Sequence, residues 1–307
     1  IFLENFRPPT RRQLGLDYDE LAKVNPQLIH CSISGYGQSG PYRDKPGFDT
    51  IGQALSGMMS LVTDLDDPKV AGISFVDHTA GIFAAHGVMA ALLARDKTGQ
   101  GQFIDVSIHD CCAMCTEGAV PQYLYDGNTL FRQTGMHAAA RRQPALELPT
   151  ADGKYLMAST AVFGNHSWAN LVKWMVEKGV AGELTDEKYR DETIRAREYG
   201  QGTEIREGIR RLVSVSDAEE AFHRAQSMGI TWTVIHAPEE NYALPHFAQR
   251  NFWRNVEQPE IGREVPFPRG PFLSDELHIE PRARAPHLGE HTKQVLTDDL
   301  GLDAVLV

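Results

Sequence analysis

The chain has 307 residues, of which 42% are hydrophobic and 23% charged, the composition of a globular protein with one large domain or two ordinary ones. A formal net charge of −11 argues against nucleic acid as the main partner, which selects a basic stripe, but leaves room for a phosphate-bearing small molecule on a local basic cluster. No uninterrupted apolar run is long enough to span a bilayer, and no secretory signal opens the chain.

The start, IFLENFRPP, reads as the end of a buried strand followed by a loop, so a further N-terminal segment is expected before it. YDELAKVNPQ is a short amphipathic helix closed by Asn25-Pro26, and LIHCSIS alternates as a strand. GYGQSGPYRDKPG is a loop rich in Gly and Pro, and FDTIGQALSGMMSLV reads as helix. HTAGIFAAHGVMAALLARDKTG is a strong helix, with basic residues in its last turn and Gly99 as its stop. QFIDVS is a strand, and a helix follows it at Ser107. Helix and strand in alternation predict an α/β layer fold with parallel pairing.

The polar stretch GNTLFRQTGMHAAARRQPALELP reads as an interdomain linker. DGKYLMAST and ITWTVIHA are strands, with helices HSWANLVKWMVEKG and DAEEAFHRAQSMG between them. The first helix puts Trp168, Leu171, Val172 and Met175 on one face, and the second has Asp217 as cap and Gly229 as stop. Residues 148–245 form a smaller α+β unit, and 246–307 a Pro-rich return.

Cys31, Cys111, Cys112 and Cys115 point to a reducing compartment, since three of them crowd one helix. Cys112-x-x-Cys115 lacks the second pair that a zinc site needs. His78 and His86, and His287 and His291, are spaced by helical turns without a third ligand, so no metal is expected. Arg7, Arg11 and Arg12 cluster near Asn5-Phe6, as a phosphate site or as solvated surface. GYGQSG lacks the spacing of a dinucleotide fingerprint, which opposes a nicotinamide oxidoreductase.

Ser107 and Asp110 admit two readings. They form an S-x-x-D pair ahead of an apolar run, close to a capping box. They also follow a strand directly, at the carboxyl end where open α/β sheets place ligands. A carboxylate in a first helical turn is held ionised by the helix dipole and can serve as a nucleophile.

Three ordered stretches resemble the class III CoA-transferases, the family of formyl-CoA transferase and carnitine CoA-transferase. They are ENFRPPTRRQLGLDYDELAKVNPQLIHCSISGYGQSGPYRDKPGFD, ARDKTGQGQFIDVSIHD and RAPHLGEHTKQVLTDDLGL. The resemblance implies a large Rossmann-like domain built from both chain ends, here 1–147 and 246–307, with a smaller α+β domain inserted at 148–245. It also implies an interlocked homodimer, CoA as substrate rather than a resident cofactor, no metal, and a cytoplasmic enzyme without membrane or nucleic-acid partners. It places the nucleophile at Asp110 and CoA or substrate contacts at Asn5, Phe6, Arg12, Gln13, Leu14, Lys45, Phe48 and Asp49. The position that often holds Arg before Leu-Gly is Gln13, with Arg12 beside it.

Two departures from the family are informative. The racemase branch has His where this chain has Phe48, which cannot move a proton. The glycine-run lid of the formyl-CoA transferase branch has no counterpart, so oxalate is not implied. The resemblance thus implies transfer of CoA from an acyl-CoA to a carboxylic acid, through an aspartyl anhydride and an aspartyl-CoA thioester. An acyl-CoA racemase and a non-catalytic subunit of a heteromeric transferase stand as alternatives.

Overall fold

The computed structural model describes residues 1–62, 69–116, 118–130, 138–139, 145–158, 164–200 and 204–303. Most of the expected linker at 127–149 lies outside them. The chain parts into two compact units, Ile1–Val234 and Ile235–Val307. The fold is mixed α/β.

The first unit begins with β1 (Phe2–Glu4), α1 (Pro8–Gln13), α2 (Tyr18–Val24) and β2 (Ile29–Ser34). Then come α3 (Asp49–Leu55), a 3-10 turn at Met58–Ser60, α4 (Phe75–Thr98), β3 (Gln102–Ser107), α5 (Ile108–Met114) and α6 (Ala119–Asp126). The three strands form one parallel sheet in the order β1-β2-β3, with Glu4 opposite Ser32 and Ser34 opposite Ser107. Parallel neighbours require crossovers, and α1 with α2, then α3 with α4, supply them. β2 lies in the middle and is almost wholly buried, so its alternate polar residues His30, Ser32 and Ser34 are bonded inside, to Glu4 and Gln38.

The helix α4 lays Val76, Ala80, Ala84 and Ala91 inward and forms a core with Cys31, Val106 and Cys111. Small residues let the helix lie close to the sheet. By length and composition alone Phe75–Thr98 is apolar enough to cross a membrane, although its apolar run is not uninterrupted. Asp77, His78 and His86 break the run. Gly99 ends the helix in the left-handed conformation, as expected.

Further along the unit come β4 (Glu147–Pro149), β5 (Tyr155–Ala158), α7 (Asn165–Glu177), α8 (Glu192–Gly200), α9 (Glu204–Ser214), α10 (Ala218–Ser227) and β6 (Trp232–Val234). Their antiparallel sheet, β4-β5-β6, carries a larger core than the parallel one. Trp174 and Trp232 meet there with ring centroids 5.9 Å apart, beside Leu171, Met175, Ile209 and Leu212. Each such side chain contributes about 1.5–3 kcal/mol by leaving water. Trp174 joins the α7 face read from sequence, and Val172 is only partly buried. Asp217 stands at the start of α10 without a side-chain cap bond, and Asp152 takes the Ala218 amide instead, at 3.3 Å.

The second unit holds α11 (Pro245–Gln249), β7 (Trp253–Gln258), β8 (Arg263–Pro268) and the short α12 (Thr292–Gln294). β7 and β8 pair as an antiparallel hairpin in which Trp253 faces Pro268 and Asn255 faces Pro266. This hairpin lies within the stretch 246–307 that the sequence marks as a Pro-rich return. A two-stranded hairpin has two free edges, where proline's missing N–H costs nothing. Arg269 fastens the hairpin's end by donating to the carbonyls of Arg250, Asn251, Gly270 and Phe272.

Candidate functional site

All three parallel strands run the same way, so their carboxyl ends share one edge, the place where α/β sheets take ligands. A cleft of about 670 Å³ opens there. Asn5, Phe6, Arg7 and Thr10 line it after β1, Ser34 and Gly35 after β2, and Ile108 after β3. Gly47, Phe48 and Asp77 complete the wall.

Asp110 sits in the first turn of α5, two residues beyond Ile108. Ser107 Oγ accepts from the Asp110 amide at 3.2 Å, so the cap exists. The Asp110 carboxylate is not absorbed by it. Its side chain is 77% exposed, and its Oδ1 lies 3.3 Å from His109 Nδ1. The cap therefore uses the amide of Asp110 and leaves its carboxylate in solvent.

The glycine-rich loop after β2 is tied to the same helix start. The His109 amide donates to the Gly35 carbonyl at 3.0 Å, and the Tyr36 ring lies 6.0 Å from the His109 ring. A Cβ on Gly35 would lie 2.7 Å from the Gly47 Cα, so the loop's two ends approach as only glycines can. Gly37 has φ +76, and a Cβ there would meet both Asp105 carboxylate oxygens at 3.3 Å. Asp105 accepts from the Gln38 amide at 3.1 and 2.9 Å. Gln38 Nε2 donates to Ser32 Oγ at 2.8 Å and Ser34 Oγ at 3.2 Å. The loop is thus pinned to polar side chains of β2 and β3.

Of the residues singled out in the sequence, Asn5, Phe6 and Phe48 line the cleft, with Phe48 73% exposed. Arg12 pairs with Asp44 of the loop at 3.3 Å, and Lys45 Nζ lies 4.3 Å from the Tyr42 ring centroid. Gln13 and Leu14 end α1 with exposed side chains and are not among the cleft-lining residues. Asp49 is buried and turned away: Oδ1 accepts from the Val76 and Asp77 amides at 2.8 and 3.3 Å, and Oδ2 from Gln53 Nε2 at 2.6 Å. It caps α4 from another element, so its carboxylate is committed to helix amides.

Sequence reasoning passed over Asp77. It lines the cleft, and burial, with the neighbouring Asp49 charge, raises its pKa above the ordinary carboxylate value. In sequence it is one acid in a first helical turn, a common ornament of helices. Burial likewise raises the thiols of Cys31, Cys111 and Cys112, which are free and poorly nucleophilic. Among the described residues no His, Cys, Asp and Glu group is placed to hold a metal.

The parallel sheet thus carries a cleft at its strand ends, a pinned glycine loop and an exposed first-turn carboxylate, the layout of an α/β enzyme site. The chain belongs to CoA-transferase family III, whose model matches residues 1–292. It is 30% identical to the succinyl-CoA–D-citramalate CoA-transferase of Chloroflexus aurantiacus, over 98% of this chain and 73% of that one. It is 31% identical to the succinyl-CoA:(R)-benzylsuccinate CoA-transferase subunit BbsE of Thauera aromatica, over 97% of this chain and 72% of that one. A crystal structure of a CAIB/BAIF family protein from Brucella suis superposes with a TM-score of 0.79, at 26% identity, over 96% of this chain and 74% of that one. The chain is a class III CoA-transferase, acting on acyl-CoA and carboxylic acid.

Proposed function

We propose that CoA transfer proceeds covalently through Asp110. The observation that carries this is the exposed Asp110 carboxylate, fixed by its own amide at the carboxyl end of β3. The carboxylate attacks the donor thioester carbonyl, forming an aspartyl–acyl anhydride and expelling CoA thiolate. The thiolate attacks the aspartyl carbonyl, releasing the donor acid and leaving an aspartyl-CoA thioester. The acceptor carboxylate attacks that thioester, regenerating the thiolate and a new anhydride. The thiolate then takes the acceptor acyl group and frees Asp110. Each step needs amide donors for an oxyanion, and none needs a metal or resident cofactor.

CoA lies along the cleft from Asn5 and Phe6, with Arg7 in its wall and Arg12 on the helix that follows. The relatives named for succinyl-CoA support succinyl-CoA as donor and an organic acid as acceptor. The protein works in the cytoplasm as an interlocked homodimer, its large Rossmann-like domain made of 1–147 and 246–307 around an inserted 148–245. The subunit BbsE relative favours a second arrangement, in which this chain pairs with a different subunit.

Mass spectrometry after incubation with succinyl-CoA tests the covalent reading. A CoA adduct on the peptide carrying Asp110 is expected, and it should disappear in Asp110→Ala and Asp110→Asn. Transfer at the normal rate by either variant would overturn the mechanism. Activity of the chain purified alone separates the homodimer from the two-subunit arrangement.

A further inference from the structure

We propose that Glu4 is a positioning residue for CoA: its buried carboxylate, braced by His30, holds the Phe6 amide and so sets the Asn5–Phe6 rim of the cleft. This rests on the reading that the cleft takes CoA. Glu4 is 6% exposed and His30 0%, and neither enters the proposed chemistry. Glu4 Oε2 accepts from the Phe6 amide at 2.6 Å, and Oε1 lies 3.3 Å from His30 Nε2. The pairing of Phe2 with His30 and Glu4 with Ser32 puts His30 diagonally across from Glu4. Side chains two apart share a sheet face, so the contact follows from the strand register.

A carboxylate in a protein core is costly unless it is bonded on several sides. His30 is boxed by the rings of Phe2 and Phe103, with centroids at 4.8 and 5.0 Å, and by Tyr18 at 6.3 Å. Burial lowers the His30 pKa below its ordinary value, and the Arg11 charge adds to this against the pull of Glu4 and Asp17. A neutral ring donates Nε2–H to Glu4 and leaves Nδ1 as an acceptor. Glu4 thus meets a donor at each oxygen, the His30 ring at one and the Phe6 amide at the other. Phe6 and Asn5 line the cleft immediately beyond. Asp110 is anchored separately, through Ser107 and through His109 to Gly35, so the two halves of the site are set by different devices.

Two substitutions in the complete protein separate an amide-holding acceptor from a structural charge. Glu4→Gln keeps an oxygen at the same reach for the Phe6 amide and removes the charge. Glu4→Asp keeps the charge and withdraws the acceptor by one methylene. The expected result is a near-normal KM for acyl-CoA in Glu4→Gln. In Glu4→Asp that KM should rise about tenfold or more, the worth of a hydrogen bond lost when the acceptor is drawn back, with kcat and the acceptor KM little changed. The reverse pattern, or normal acyl-CoA KM in both, would overturn the proposal. Phe6→Ala is measured alongside. If it raises the acyl-CoA KM while Glu4→Asp does not, only the role of Glu4 fails, and if neither does, the CoA cleft itself is misplaced.

Discussion

Asp110 shows how one residue supports two readings that sequence sets against each other. The S-x-x-D pattern is satisfied by the amide, through Ser107, and the carboxylate stays in solvent. Asp49 goes the other way: an acid that the family resemblance places near the thioester has its oxygens on the first-turn amides of α4 and on Gln53. Phe48, beside it, faces the cleft with no titratable atom. Racemisation of a 2-methylacyl-CoA needs one group to remove the α-proton and one to return it from the opposite face. Asp110, or Asp77 with its raised pKa, supplies a carboxyl for one task, but Phe48, with no titratable atom, stands where the racemase branch has its histidine. General acid–base help is worth about 10²–10⁴-fold, so only trace exchange is expected. In deuterium oxide, recovered acyl-CoA should carry no α-deuterium while labelled free acid enters the thioester. Fast α-deuteration without acid exchange would make the racemase the better reading.

At the scale of elements, the loop from Gly35 to Gly47 matters most. It hangs from β2, is pinned to β3 through Asp105, and is bonded to the start of α5. A side chain at Gly37 must adopt a left-handed backbone, at a cost of about 1–2 kcal/mol, and must also press on Asp105. Gly37→Ala should therefore shift the loop and lower kcat/KM about tenfold or more, with the far-ultraviolet circular dichroism unchanged. Wild-type kinetics in Gly37→Ala would show that the loop does not set the site. Other elements illustrate why reading a chain has uneven success. α9 buries Ile205, Ile209, Leu212 and Val213 at helical spacing, yet its arginines and glutamates hide the pattern. The β7–β8 hairpin escapes notice because Pro266 and Pro268 read as breakers, whereas they stand on a pair with free edges.

At the scale of the whole molecule, the parallel sheet has a small core, built largely of alanine and cysteine, and the antiparallel sheet a larger one of tryptophan and leucine. Large apolar side chains remain outside on the first unit, among them Ile82, Met89, Leu93, Leu124 and Tyr125. Exposed apolar surface of this kind favours assembly. Light scattering of the complete protein should accordingly give a dimer that persists on dilution to working concentration. A stable monomer with full activity would remove the interlocked arrangement.

The sequence by itself determined what depends on near neighbours. Periodicity and stop signals mark α2, α4 and β3, and Ser107 with Asp110 marks the start of α5. Three ordered stretches mark the family, because catalytic and turn residues at set spacing survive without any knowledge of contacts. Tertiary structure alone decided where the polar atoms go. Gln38 meets Asp105 across 67 positions, Asp49 meets the Val76 amide across 27, and Glu4 meets His30 across 26. Each of these bonds requires a strand register and a crossover to be in place first, and a carboxylate's role is fixed by which amide it then reaches. The chain's composition is blind to that choice, since the same carboxylate type faces solvent at Asp110 and caps a helix at Asp49.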